Sequence, residues 1–106
     1  MNKIAEINSD KNFAEPVPQS IEAEQQLLGG ILNNNDLFYS IEEKIKPHHF
    51  YDPVHSRIFE VISNRVQDGK LASAVTVNTF LTEDEGLKEL GGSAYLAQLM
   101  AGSVAT

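Results

Sequence analysis

From Ser20 onward the apolar positions of this chain return every three or four residues, the period of helices that bury one face. Ser20 is a candidate N-cap, with Glu22 and Glu24 in the first turn, where the helix dipole favours acids. Ala23, Leu27 and Ile31 then form one row and Leu28 and Leu32 a second beside it, so this helix has a broad apolar face. Gly29-Gly30 interrupts that face at about 1 kcal/mol per glycine relative to alanine. Close approach of another helix would offset the loss. Asn33-Asn34-Asn35-Asp36 supplies a turn and a cap, after which Leu37, Phe38, Ile41 and Ile45 predict a second helix stopped by Pro47.

A third helix starts at Asp52-Pro53, where the aspartate can take an unpaired backbone N–H and the proline has none to waste. Val54, Ile58 and Ile62 recur four apart, joined by Phe59 and Val66, while Ser56, Arg57, Glu60, Asn64 and Gln67 take the wet side. Asp68-Gly69 ends it. Val75-Thr76-Val77 reads as a strand by β-branching alone, but no partner strand is evident. A short helix capped by Ser73, with Val77, Phe80 and Leu81 inward, fits better. Thr82 to Glu85 has capping-box spacing for a helix through Leu87 and Leu90. Gly91-Gly92 breaks it, and Ser93 caps a last helix with the stripe Tyr95, Leu96, Leu99 and Met100. Before these six helices, Pro16 and Pro18 interrupt a stretch without periodicity, which predicts a flexible tail over residues 1–17 and one globular head over residues 18–106.

Composition agrees with a single core: 106 residues with 42% hydrophobic content can hardly build two. The absence of cysteine excludes a disulfide framework and cysteine redox chemistry, and suits a reducing compartment. No apolar run approaches the roughly 20 residues of a membrane helix, and the N-terminus lacks signal-peptide regions. A soluble protein is expected. The net charge of −7, with eight scattered basic residues and the run Glu83-Asp84-Glu85, argues against direct nucleic-acid binding and leaves room for a basic protein partner.

Candidate chemistry concentrates in His48-His49-Phe50-Tyr51-Asp52-Pro53-Val54-His55. His55 falls on the apolar side of the third helix, where a neutral imidazole needs a partner such as a backbone carbonyl or a carboxylate from a neighbouring helix. Phe50 and Tyr51 are expected to anchor the connection to the core, Tyr51 keeping its hydroxyl on a polar partner. The sharper alternative is a metal site from His48 or His49 with Asp52 and His55, as in a small metal-dependent hydrolase. A structural zinc site usually wants four ligands including cysteines, and general-base catalysis wants a second group that is not recognisable here. Gly29-Gly30 is no phosphate loop, since no strand precedes it and no Gly-Lys-Ser/Thr follows.

Periodicity alone ends at a helical fold, and a free-standing protein-interaction adaptor would satisfy it equally. The order Pro18-Gln19-Ser20-Ile21-Glu22-Ala23-Glu24, then Leu28-Gly29, Phe50-Tyr51, His55 and Ile58-Phe59, resembles the N-terminal domain of bacterial DnaB-type replicative DNA helicases. Gly69, Val75-Thr76-Val77, Leu81, Leu90-Gly91-Gly92, Tyr95-Leu96 and Leu99 continue the resemblance, which spans residues 16–106. Ser73 departs from it where aspartate is common, and Ala105 where a proline usually stands. Serine still caps a helix, and the second departure bears only on the exit geometry.

The resemblance implies an all-α compact bundle of about six short helices without a sheet. In the family this head is followed by a helical hairpin, a linker and a RecA-like ATPase domain that uses ATP and Mg and holds the DNA sites. The head forms a collar on the hexameric ring, organises protomers, and contributes to contacts with primase and sometimes with a loader. No Walker A sequence occurs here, so these residues are expected neither to hydrolyse ATP nor to unwind DNA. The resemblance further implies a cytoplasmic setting, weak self-association without the hairpin, and a structural role for the matched positions. On that reading the chain contains no catalytic, cofactor-binding or metal residue.

Overall fold

The computed structural model of this chain describes residues 17–102; the tail expected over residues 1–17 lies, except for Val17, outside them. Six α-helices and one 3-10 turn follow in order, with no strand among the described residues. Helix α1, Ile21–Asn33, begins where Ser20 Oγ accepts the Ala23 N–H at 3.0 Å. It turns Leu28, Ile31 and Leu32 into the core. Helix α2, Asp36–Ile41, is shorter than the apolar spacing predicts. Ile45 still reaches the core, but from the turn after the helix, and Pro47 opens the 3-10 turn Pro47–His49. Proline suits such a start because it needs no N–H partner there.

Asp52 caps helix α3, Pro53–Gln67, by accepting the Val54 N–H at 2.8 Å, and Gly69 closes it at φ 74°. Val54, Ile58, Phe59, Ile62 and Val66 are buried along one side of this helix. Helix α4, Ala74–Phe80, begins at Ser73, whose hydroxyl accepts the Thr76 N–H at 3.2 Å, so Val75-Thr76-Val77 is helical. Val77 points inward as expected, but Phe80 is 60% exposed, its ring lying against the Arg65 guanidinium. Helix α5, Glu85–Leu90, is capped by Asp84, which accepts the Leu87 N–H at 2.9 Å. The cap thus falls two residues after the expected Thr82, at the residue whose carboxylate takes that N–H. Helix α6, Ser93–Ala101, has Gly92 as N-cap, and Ser93 is its first helical residue.

The most extensive packing is α1 against α6. Gly29 makes it possible: a methyl group there would overlap the Leu99 carbonyl, which identifies the expected helix approach. Helix α3 packs across α1 and α4, and Phe38, Phe50 and Phe59 fill the space beside it, with ring centroids 5.9 and 5.0 Å from Phe59. Asn35, read from the sequence only as a turn residue, ties two connections together. Its side chain donates to the Ile31 and Ala72 carbonyls and accepts the Ala72 N–H at 2.8 Å.

Candidate functional site

One turn into α3, His55 is completely buried, and it meets two polar groups from other helices. Its Nδ1 lies 2.8 Å from Glu24 Oε1 on α1, and its Nε2 lies 2.6 Å from the Tyr95 hydroxyl on α6. Glu24 is itself only 1% exposed. Its other oxygen accepts the Tyr51 N–H, and Oε1 also takes a longer bond of 3.3 Å from the Asp52 N–H. Gln25 Nε2 donates to the Tyr95 oxygen at 3.2 Å. Three N–H groups converge on one carboxyl group, an arrangement that suits a carboxylate, which has acceptors only.

One set of directions satisfies every atom of the network. Gln25 donates to Tyr95, Tyr95 O–H donates to Nε2, and Nδ1–H donates to Glu24; the tautomer is assigned from this network. Burial raises the Tyr95 hydroxyl above its ordinary range, partly opposed by the Gln25 hydrogen bond and reinforced by the charges of Asp52 and Glu24. The phenol therefore keeps the proton it donates. Every buried polar atom in the chain of contacts has a partner, which is the condition for placing such groups in a core.

What the arrangement does chemically is hold three helices and one loop in register. Glu24 clamps the backbone entry to α3, while His55 joins that helix to α1 and α6. His55 and Tyr95 present no open face to a substrate, both being buried. Among the described residues, a groove of about 450 Å³ lined by Pro18, Ser20, Ile21 and Tyr51 opens beside the cluster; Glu24 forms part of its wall, and both its oxygens are already engaged.

The remaining histidines stand apart from this cluster. His49 Nδ1 accepts the Lys46 N–H at 2.9 Å, closing the 3-10 turn, and its ring leans on exposed His48. Asp52 spends its carboxylate on the α3 cap. The metal set His48 or His49, Asp52 and His55 is thus divided among three separate tasks, and no group of three potential metal-ligating side chains converges among the described residues. Tyr51 overturns another expectation: it is 85% exposed, whereas Phe50 is buried. Phe50 has extended backbone, in which successive side chains point to opposite sides, so burying one aromatic ring turns the next outward.

The other matched positions are distributed through the fold. Leu28, Ile58, Phe59 and Leu96 are core, Gly29 admits α6, and Gly91 and Gly92 adopt φ 125° and 62° between α5 and α6. Ala23 donates its N–H to the Ser20 cap, and Glu22 stands exposed in the first turn. The sequence reading missed the inward role of Glu24, for which a first-turn acid is no distinctive signal, and it missed Gln25 altogether. It also missed the ion pair of Arg57 with Asp84, whose paired bonds measure 2.6 and 3.0 Å. The Arg57 hydrogen bond holds the Asp84 carboxyl below the usual carboxylate range against some desolvation, helped by the Leu87 N–H.

Residues 2–106 match the family model for the DnaB-like helicase N terminal domain. The replicative DNA helicase DnaB of Rickettsia prowazekii (strain Madrid E) is 38% identical over 100 residues, covering 92% of this chain and 21% of the relative. The DnaB of Geobacillus stearothermophilus is 36% identical over 88 residues, covering 82% and 19%. The chain spans about a fifth of the length of these relatives. Among solved structures, the N-terminal domain of DnaB helicase from Mycobacterium tuberculosis superposes with a TM-score of 0.71 at 35% identity, covering 80% of this chain and 59% of that one.

Proposed function

The chain belongs to the DnaB-like helicase N-terminal domain family, and from that premise we propose that it is the non-catalytic head of an ATP-dependent replicative DNA helicase. The observation that carries the proposal is the match to replicative helicases along 92% of the chain. The head, residues 18–106, works by binding. It organises protomers in a hexameric ring and contributes to contacts with primase and, where one exists, a loader, in the cytoplasm.

The physical reading supports a binding role over a catalytic one. The only assembled cluster of histidine, carboxylate and phenol found among the described residues is buried and spends its hydrogen bonds on itself. ATP and Mg belong to the ATPase domain of the longer protein, and so does DNA, which the net charge of −7 disfavours on this head. Partner contacts would draw their free energy from a few apolar anchors with a polar rim.

The test is to read the encoded protein past Thr106 and assay it. A Gly-Lys-Ser/Thr phosphate loop, with ATP-dependent strand separation by the full protein and none by residues 1–106, is expected. A full protein with no such loop and no nucleotide-dependent activity would make the head a free-standing adaptor.

A further inference from the structure

Helix α5 is attached to the rest of the molecule differently from the other helices. It makes the sparsest contacts with them, and its only buried side chain is Leu87. Its backbone hydrogen bonds run within itself and to its flanking turns: Asp84 N–H to Leu81, Lys88 N–H to Asp84, and the Gly91 and Gly92 N–H groups back to Leu87. Lys88 pairs with Glu83 and Glu85, which belong to the same segment and secure nothing outside it.

Two further contacts reach across to α3. Gly86 lies flat on its first turn, so close that a methyl group would come within 2.5 Å of Val54 Cγ2 and 3.0 Å of Arg57 Nη2. Beside it the Arg57 guanidinium grips Asp84 with two hydrogen bonds, 2.6 Å from Nε and 3.0 Å from Nη2. Among the described residues this is the one ion pair that ties the segment to another element. Asp84 is 13% exposed and Arg57 42%, so the pair sits where ions reach it but water does not fully dissolve it. On the other side, Gly91 and Gly92 have φ of 125° and 62° and carry no side chains; their carbonyls accept N–H groups of α6, Gly91 from Ala94 at 3.2 Å and Gly92 from Tyr95 at 3.0 Å.

We propose that residues 84–92 form a latched flap: the Arg57–Asp84 pair fastens α5 to α3, Gly91-Gly92 is the hinge, and the flap opens while the other helices stay folded. Opening bares Leu87 and the Val54 side of α3. It also frees the hinge that leads directly into the helix carrying Tyr95, so a partner that competes for Arg57 or Asp84 would act next to the buried network. The other charge acting on the latch is Asp52, which adds to the attraction on Arg57; Lys88 of the flap pairs with Glu85 and with Glu83, the residue just before the flap.

Native-state hydrogen exchange on the whole chain tests this, read amide by amide in about 20 mM and about 1 M sodium chloride, where screening lengths differ several-fold. Amides of residues 87–91 should exchange through an opening smaller than the one that releases Ile58 and Ile62, and should lose protection in high salt while those α3 amides hold theirs. Asp84→Asn keeps an N-capping side chain but removes the charge. It should speed α5 exchange about threefold to tenfold in low salt and abolish the salt effect. Leu87→Ala, which removes the buried anchor of α5 and leaves Arg57 and Asp84 in place, should speed α5 exchange and preserve the salt effect. Exchange of α5 only with the global opening, an unchanged salt response in Asp84→Asn, or unfolding of the entire domain by that substitution would each overturn the latch.

Discussion

Adjacent glycines in α1 should respond to alanine with opposite signs. In a helix interior, alanine is favoured over glycine by about 1 kcal/mol, so both substitutions start with the same gain. At Gly30 the added methyl meets only the Cδ2 of Leu37, at 3.2 Å, the free end of a side chain that is 39% exposed and can move aside. Most of the gain should survive. At Gly29 the methyl would lie 2.9 Å from the Leu99 carbonyl carbon and nearer still to its oxygen, against 3.4–4 Å for ordinary contact. Relief of the oxygen contact requires α1 and α6 to separate by about 1 Å or more, along the best-packed helix pair of the fold. Overpacking of this kind costs about 1–3 kcal/mol, and a backbone neighbour puts it at the upper end. The net expectation is about 2 kcal/mol of destabilisation for Gly29→Ala and up to about 1 kcal/mol of stabilisation for Gly30→Ala. For a domain of this size the first should lower the melting temperature by about 10 °C and the second raise it by a few degrees. Urea unfolding with a shared m-value gives the free energies directly. If Gly29→Ala were as stabilising as Gly30→Ala, the helix-approach argument would be refuted.

His55→Ala should lower stability by about 1–3 kcal/mol in urea unfolding, because Glu24 and Tyr95 each lose a buried partner; an unchanged midpoint would count against the network. Tyr95, held above its ordinary range chiefly by burial, favours its protonated form in the folded state, so its contribution is present in full below about pH 10 and is lost as pH rises through its higher folded value. Tyr95→Phe should be less stable at pH 7 yet show a flatter alkaline decline, and identical alkaline slopes for the two proteins would contradict the assignment. In light scattering, residues 1–106 should run as monomer to weak dimer, and a tight hexamer at micromolar concentration would refute that expectation.

Elements whose signals are local were legible in the sequence. Ser20, Asp52 and Ser73 each place a side-chain oxygen beside the first free N–H groups, and Gly29 announced a neighbour by its cost. Tertiary geometry decided the rest. Glu24 reads as a dipole-complementing surface acid, because the N–H groups that bury it come from residues 27 and 28 positions later. Ile45 reaches the core from a turn, which no helical period encodes. The adjacent aromatics Phe50 and Tyr51 divide between core and solvent because the backbone there is extended. His55 was legible as far as a carboxylate from a neighbouring helix, but the tyrosine and glutamine that complete its network lie 40 residues downstream and 30 upstream, beyond any local pattern.

The central claim is that the histidine at the heart of this domain builds its fold, and that, on the function proposed above, the chemistry of the longer helicase resides in another domain. His55→Ala in the full-length protein separates the two roles when ATP turnover per assembled ring is measured alongside the unfolding of the head. The account predicts a head that melts at lower temperature and a turnover number unchanged at temperatures where it remains folded. Loss of turnover in rings whose heads are demonstrably folded and assembled would contradict it.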